Sequence, residues 1–139
     1  MASSVPFKLV TPMGAVFDGE AQLVIAVTTE GEEGILPRHA PLLAALKPGI
    51  LRANVVSGGT SSRLELATSE GFIAALPDRV TALVDEAVAF DQVVVAETRR
   101  QLDEAVERQK AAGNDRERVA REQAVIDFSR AKLRLTGHK

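Results

Sequence analysis

Two different spacings of apolar residues divide the chain near residue 88. In the first part, short apolar runs alternate with other residues, as at Val80, Ala82 and Val84. A period of two places alternate side chains on one face of a β-sheet. The pattern predicts strands near residues 5–10, 20–27, 49–57, 62–68, 71–76 and 79–85. Turns that contain glycine or proline separate these runs, which is typical of a sandwich or barrel.

The second part is rich in Ala, Glu, Arg, Gln and Leu and has a helical period. Asp91 is predicted as the N-cap of a first helix. The tripeptide Gly113–Asp115 predicts a stop, a turn and a new cap. A second helix is expected from about Arg116 to Leu135. The apolar stripe of this second helix contains Val119, Val125, Ile126, Phe128, Leu133 and Leu135.

The change of period predicts two domains, residues 1–88 and residues 89–139. The tight connection between the two helices favours an antiparallel hairpin. Two helices alone bury little apolar surface, so the hairpin should depend on docking against the first domain or against a partner. An element of such marginal stability can change its position.

Composition narrows the functional classes. The 139 residues include 17 basic and 19 acidic side chains, a balance that argues against broad nucleic-acid binding. The absence of cysteine excludes disulfides and thiolate metal sites. No apolar run approaches the roughly 20 residues of a membrane span, and the N-terminal segment lacks the apolar run of a signal peptide. We therefore expect no direct membrane insertion and a place on the cytoplasmic side, where partners can hold the chain at a membrane.

Five segments carry a family resemblance. The longest runs from Thr29 to Leu43 and reads TEGEEGILPRHAPLL. The match continues through Ala45–Arg52, and the remaining segments are Val10–Gly19, Ser69–Phe72 and Asp78–Val84. Along the chain these segments keep the family's order, and they resemble the epsilon subunit of F-type ATP synthases over nearly all of the first domain. The helical part is similar in type but weaker in motif.

The resemblance implies an α+β fold, with a ten-stranded β-sandwich followed by an antiparallel two-helix hairpin. It also implies a non-catalytic rotor subunit that binds the gamma subunit and the ring of c subunits and couples the two during proton-driven ATP synthesis. In this family the hairpin can extend into the catalytic alpha/beta head and restrain ATP hydrolysis. The expected location is the cytoplasmic face of a bacterial inner membrane, in preference to a chloroplast thylakoid.

The longest segment is where the resemblance implies contacts with gamma and the c ring. The candidate interface residues are Glu32, Arg38, His39, Pro41 and Leu42. Glu32 matches the family acid in a loop that faces the c ring, and a solvated carboxylate is the alternative. Arg38 and Glu70 stand where the family usually has glycine, a residue that permits positive φ or close approach in turns.

Catalysis or metal binding would be alternative roles for His39. The second histidine, His138, lies near the C-terminus, and no nucleophile motif is present. A nucleophile–His–acid unit and a zinc site both need several convergent groups. We therefore expect no catalytic residue and no metal ligand, and we assign His39 to the shape of the interface loop.

The second helix contains a candidate nucleotide pattern, Ile126, Asp127, Arg130 and Ala131. It resembles the I/L-D-x-x-R-A pattern associated with ATP binding by some epsilon subunits. That pattern belongs at the start of the first helix, where this chain has Phe90–Val95 without the Arg and the Ala. A phosphate needs several convergent donors; the alternative is packing by Ile126 beside an ordinary surface pair of Asp127 and Arg130. Apart from regulatory ATP, no cofactor is expected.

Arginines of the second helix could meet acidic groups of the catalytic head if the hairpin extends. These candidate inhibitory-arm residues are Arg116, Arg118, Arg121, Arg130 and Arg134. Such contacts favour the extended state only by their differential strength. A solvent-exposed helix face is the alternative.

Two other functional classes stay open at this point. One is a free-standing β-sandwich ligand-binding protein with a helical tail. The other is a small enzyme with an unfamiliar site. Binding to gamma separates the first class from a rotor subunit, and activity of the purified chain alone would support the second.

Overall fold

The computed structural model describes residues 3–138, which form nine strands, one 3₁₀ turn and two helices. The elements are β1 (Val5–Thr11), β2 (Gly14–Thr28), β3 (Gly31–Ile35), β4 (Leu42–Leu46), β5 (Gly49–Ser57), β6 (Thr60–Thr68), β7 (Gly71–Leu76), β8 (Arg79–Val84), β9 (Ala87–Val88), the 3₁₀ turn (Phe90–Gln92), α1 (Val95–Ala111) and α2 (Arg116–Leu135). The predicted class, a β-sandwich followed by a two-helix hairpin, is confirmed. The division into two domains after residue 88 stays a prediction.

One long strand joins the two layers of the sandwich. The first half of β2 pairs with β1, and the second half pairs with β3 and β5. The first sheet continues from β1 through β8 and β7 to β4, with β1 and β8 parallel. The second sheet continues from β5 through β6 to β9. A pairing of Thr28 with Leu46 closes the ring between β2 and β4.

The described residues form nine strands, whereas the resemblance implies ten. β2 is 15 residues long, and its pairing with β5 shifts register between Ala21 and Leu23. Counting β2 as two strands at this irregularity gives the tenth. The apolar spacing did not predict β3, which has little apolar content, or β4, a continuous apolar run without alternation. It also did not predict the two-residue β9.

The two sheets enclose one apolar core. Phe7, Leu9, Ile35, Leu51 and Ile73 are among its largest fully buried side chains. The predicted alternation in β8 is confirmed, because residues 80, 82 and 84 are buried there. Removal of this apolar surface from water is the main source of the free energy of folding.

A glycine allows β7 and β8 to approach closely. A β-carbon at Gly71 would lie 1.9 Å from the backbone oxygen of Leu83. No side chain fits in that space, so the pairing of the two strands requires glycine at this position.

The first helix begins later than predicted. Asp91 lies in the 3₁₀ turn, and the N-cap of α1 is Val94, which provides no side-chain hydrogen bond. The predicted cap was wrong because the chain forms a separate turn there. The Gln92 side chain accepts a hydrogen bond from the Ala89 amide at 3.0 Å, and Val93 and Val94 then continue in extended conformation.

The second helix has the predicted bounds. The Asp115 carboxylate accepts a hydrogen bond from the backbone amide of Arg118 at 3.2 Å and caps α2. Gly113 has a φ of +58°, the left-handed conformation that commonly follows a helix end. The connection between the helices therefore follows the signals in the sequence.

The hairpin lies against the outer face of the second sheet through α2. Phe128 and Ala131 of α2 pack on Ala67 of β6, and we call these three residues the hairpin seat. α1 packs on α2, where Arg108 Nε lies 3.0 Å from Glu122 Oε1. The structure therefore shows the hairpin folded against the sandwich.

Candidate functional site

The loop between β3 and β4 contains a tight turn at Leu36–His39. The backbone amide of His39 donates to the oxygen of Leu36 at 3.2 Å. Arg38 has a φ of +68° and follows a proline, the arrangement of a type II turn, in which glycine is preferred at the Arg38 position. The exposed Arg38 therefore occupies a strained backbone conformation, which costs a non-glycine residue roughly 1–2 kcal/mol.

His39 is held by neighbours in the same loop and on β3. Its Nδ1 lies 2.6 Å from the backbone oxygen of Ala40, and its Nε2 lies 3.7 Å from Glu33 Oε1. Within residues 3–138, no group of three or more His, Asp or Glu residues could hold a metal ion. The contacts of His39 give it a part in shaping the loop.

Glu32 lies in strand β3, and its prediction as a loop residue was wrong because residues 31–35 pair with the end of β2. Its Oε1 lies 2.7 Å from Arg52 Nη2 on β5. Successive residues of a strand point to opposite faces, so Glu32 and the neighbouring Glu33 lie on different sides of β3. The structure therefore places Glu32 with Arg52, while His39 lies with Glu33.

The last two predicted interface residues differ in exposure. Pro41 is exposed, whereas Leu42 is half-buried and packs against the core at the start of β4. The five candidate interface residues thus do not form one cluster of side chains. They lie on β3 and on the following loop up to β4.

Glu70 differs from Arg38 in its backbone. Arg38 is the one non-glycine residue with positive φ in the described chain, so Glu70 carries no strain of this kind. The Glu70 backbone oxygen accepts a hydrogen bond from the Asp85 amide at 3.2 Å, and its side chain is exposed. The glycine that this segment requires is Gly71, the next residue.

The residues of the nucleotide pattern divide between the interior and the surface. Ile126 and Ala131 are buried, so they pack and are not free to contact a ligand. Asp127 accepts a hydrogen bond from Gln123 at 2.9 Å. Arg130 lines a cleft of about 260 Å³ between α2 and the sandwich. Lys47, Arg134 and the acidic Asp127 also line this cleft, so three basic side chains and one acidic side chain border it.

The predicted inhibitory-arm arginines all lie on exposed surface of the hairpin; they are Arg116, Arg118, Arg121, Arg130 and Arg134. Other basic residues form the ion pairs of the hairpin. Arg100, for example, lies 2.8 Å from Glu104 and 2.9 Å from Glu97, and the hydrogen bond and charge of Glu104, followed by those of Glu97, raise its pKa. The exposed positions of the five arginines leave their charges accessible to a partner.

The sequence analysis did not identify two features of the sandwich surface. Arg52, the partner of Glu32, lies 20 residues away, and only the strand register brings them together. The outward positions of β7 and β8 also include the apolar residues Phe72 and Leu83. The alternation that predicts inward residues of β8 also predicts an outward Leu83, so this signal was present in the sequence.

Neither helix in residues 3–138 has the length and apolarity needed to cross a membrane.

Comparisons with known proteins support the family resemblance. Residues 4–90 match the family model described as ATP synthase, Delta/Epsilon chain, beta-sandwich domain. The chain is 38% identical over 128 residues to the ATP synthase epsilon chain of Halalkalibacterium halodurans. This alignment covers 92% of the chain and 86% of that protein. It is 36% identical over 132 residues to the ATP synthase epsilon chain of Synechococcus elongatus. That alignment covers 95% of the chain and 93% of the relative.

A solved structure has a similar fold. The cryo-EM structure of Euglena gracilis mitochondrial ATP synthase, OSCP/F1/c-ring in rotational state 1, contains a chain that matches with a TM-score of 0.77. The match covers 97% of this chain and 82% of that chain at 20% identity, a level that shows the fold alone. The family model, in contrast, matches more than half of the chain, and the two relatives extend through the hairpin. The chain therefore belongs to the ATP synthase delta/epsilon chain family.

Proposed function

We propose that the chain is the epsilon subunit of an F-type ATP synthase, a central-stalk subunit that couples gamma to the c ring during proton-driven ATP synthesis. The observation that carries this proposal is the similarity to epsilon chains over 95% of the sequence, through both sandwich and hairpin. As a family member, the chain is an accessory subunit of a membrane complex and not one of its catalytic subunits. Its proposed place is peripheral, on the cytoplasmic face of a bacterial inner membrane.

Binding to the rotor tests this function directly. The purified chain should form a stoichiometric complex with the gamma subunit of the same organism, measured by co-purification and calorimetry. It should then join gamma to isolated c rings. A folded chain that does not bind gamma would contradict the proposal and favour a free-standing ligand-binding sandwich.

Glu32 gives a test within the interface. In the free chain, its carboxylate already pairs with Arg52, so a rotor contact must use the exposed part of the pair or replace it. Glu32→Gln should weaken binding to c rings, whereas Glu30→Gln, at an exposed position in the preceding turn, should leave it unchanged. If rotor assembly and proton coupling are unchanged with Glu32→Gln, Glu32 is not an interface residue.

The hairpin is proposed to restrain ATP hydrolysis by extending into the alpha/beta head. Support comes from the small hairpin seat and from the exposed arginines of α2. Deletion of residues 89–139 should retain gamma binding and raise ATP hydrolysis by the assembled complex. A chain in which the five inhibitory-arm arginines are replaced by glutamine should have the same effect with the hairpin present. An unchanged rate of ATP hydrolysis in both variants would contradict the inhibitory role.

We also propose that the chain binds regulatory ATP, supported by the three basic residues Lys47, Arg130 and Arg134, which line the cleft between α2 and the sandwich together with Asp127. Calorimetry with millimolar ATP on the isolated chain decides it. If binding occurs, Arg130→Gln should reduce the affinity, and Arg118→Gln, outside the cleft, should not. Absence of heat with the unmodified chain would end the proposal.

A further inference from the structure

The ion pair between Glu32 and Arg52 crosses one strand of the second sheet. Glu32 lies on β3 and Arg52 on β5, and both strands pair with β2 between them. Arg52 Nη2 lies 2.7 Å from Glu32 Oε1, the length of a charge-assisted hydrogen bond. Ile25 of β2 is the register partner of Arg52 and is half-buried, so an apolar side chain lies beside the stem of Arg52. The Arg52 side chain therefore spans two strand spacings to reach the carboxylate.

The burial of Arg52 is unfavourable in itself. Its Nε atom is buried and has no hydrogen-bond partner among the described residues. A buried donor without an acceptor lowers the free energy of unfolding. The side chains of Arg52 and Glu32 are 32% and 59% exposed, and an ion pair so open to water adds little stability. The stability of the sandwich therefore does not explain why a cation occupies this position.

A second carboxylate lies closer to Arg52 along the sheet. Glu65 of β6 is the direct register partner of Arg52, so the two side chains share a face, and Glu65 is exposed. Opposite charges at such directly paired positions commonly form an ion pair. Within residues 3–138, however, Glu65 has no ion pair, and Arg52 reaches across β2 to Glu32 instead. The arrangement thus fixes the carboxylate of Glu32 in particular.

The fixed carboxylate keeps one oxygen for another donor. Arg52 donates to Glu32 Oε1, and no other hydrogen bond within residues 3–138 uses the second oxygen, Oε2. An ionised carboxylate accepts at both oxygens, so Oε2 is available to a donor outside the chain. A side chain that is already held in place loses less conformational entropy when it binds. The ion pair therefore presents Glu32 in one orientation.

We propose that Arg52 is a positioning residue for the rotor contact of Glu32. It holds Oε1 of the carboxylate, so that Oε2 accepts a hydrogen bond from a basic or amide donor on the c ring. The inference rests on the proposed function, which supplies the c ring as the partner of Glu32. Arg52 acts through Glu32 and does not itself contact the ring.

A double-mutant cycle tests the positioning role. The complex of the full-length chain with gamma is titrated with isolated c rings, and gamma binding is measured for every variant. Arg52→Gln should lower the affinity for c rings about fivefold, the scale expected when one flexible side chain is no longer fixed before binding. Glu32→Gln should lower it at least as much. The double variant should bind no more weakly than Glu32→Gln, because Arg52 then has no carboxylate to hold.

Three further variants separate the charge of Arg52 from that of its neighbours. Arg52→Lys keeps the positive charge and should recover most of the loss. Glu65→Gln removes the other carboxylate beside Arg52, and Arg63→Gln removes a cation of β6 whose Nη1 lies 3.2 Å from Asn54 Oδ1. Both controls should change the affinity for c rings less than twofold. Thermal melting should show that every variant is folded, so that weaker binding is not a loss of structure.

The outcomes separate this inference from the proposed function. Additive losses in the cycle would show that Arg52 contacts the ring itself, and equal or higher affinity of Arg52→Gln would show that it positions nothing; either result overturns the inference. Binding by Arg52→Lys as weak as that by Arg52→Gln, or an equal loss with Glu65→Gln, would also overturn it. If Glu32→Gln binds c rings normally, the inference fails while gamma binding and the rotor function stand. Failure of the unmodified chain to bind gamma defeats the proposed function itself.

Discussion

The sandwich and the hairpin are held by very different amounts of buried apolar surface. A cluster of 16 buried hydrophobic residues forms the core of the sandwich, whereas the hairpin seat contains three, two of them alanines, with Ile50, Val88 and Leu135 partly buried against it. Ile126 and Leu133 are also buried in the hairpin. Polar contacts, such as that of Arg108 with Glu122, join α1 to α2 but are partly exposed to water. The sandwich therefore provides a fixed scaffold. The hairpin has the properties of an element whose position a partner can change at modest cost in free energy.

Removal of a core side chain should produce the largest loss of stability. Phe7 is 1% exposed, and Phe7→Ala leaves a cavity that the surrounding strands cannot fill. The free energy of unfolding should fall by about 3–5 kcal/mol, measured by denaturant titration. Phe17→Ala is the matched control, because Phe17 is half-buried with its ring 5.7 Å from that of Phe7, and it should cost less. A loss below about 1 kcal/mol for Phe7→Ala would contradict the assigned core.

The same change in the hairpin seat should have a smaller and more local effect. Phe128 is 7% exposed, and Lys132 Nζ lies 4.6 Å from the centre of its ring. Undocking exposes the Phe128 side chain to water, so Phe128→Ala should lower the free energy of hairpin undocking by about 2 kcal/mol. The backbone amides in the turns of α2 that face Ala67 should then exchange hydrogen roughly thirtyfold faster. Exchange in the core strands should stay slow.

The exposed Phe90 provides the control for that measurement, since Phe90→Ala should leave exchange in α2 unchanged. Equal acceleration in α2 and in the core strands with Phe128→Ala would show that sandwich and hairpin open as one unit. That result would remove the contrast between the two regions.

Sequence reasoning succeeded where structure depends on local signals. The spacing in β8 reflects one buried face, and the α2 bounds follow from the cap at Asp115 and the left-handed Gly113. The apolar spacing failed for β3, which pairs with the adjacent β2 but has too few apolar residues to show an alternation. It also failed for β4, a continuous apolar run that pairs with β7, far along the chain. The start of α1 was missed because a separate turn at Phe90–Gln92 replaced the expected cap.

The candidate site shows the same limit. The family motif located the loop around His39, but it could not show that Glu32 pairs with Arg52, since that contact requires β3 and β5 to flank β2 in a particular register. The sequence also did not predict the backbone conformation of Arg38. Pro37 indicates a turn, but proline is favoured at this position in both type I and type II turns, and only type II gives the next residue the positive φ that Arg38 has. Pro37 thus indicates the turn but not its type, whereas the Glu32–Arg52 ion pair depends on the arrangement of three strands.

The turn at Arg38 is a local free-energy cost within the otherwise well-packed sandwich. Arg38→Gly removes the β-carbon from a left-handed backbone and should raise the free energy of unfolding by about 1 kcal/mol, after the entropy cost of glycine. The melting temperature should rise by about 3 °C. Arg38→Ala separates strain from charge, since alanine loses the charge but keeps the β-carbon, and it should give no gain. Equal stabilisation by Ala and Gly would show that the charge, and not the backbone conformation, is the source of the cost at this turn.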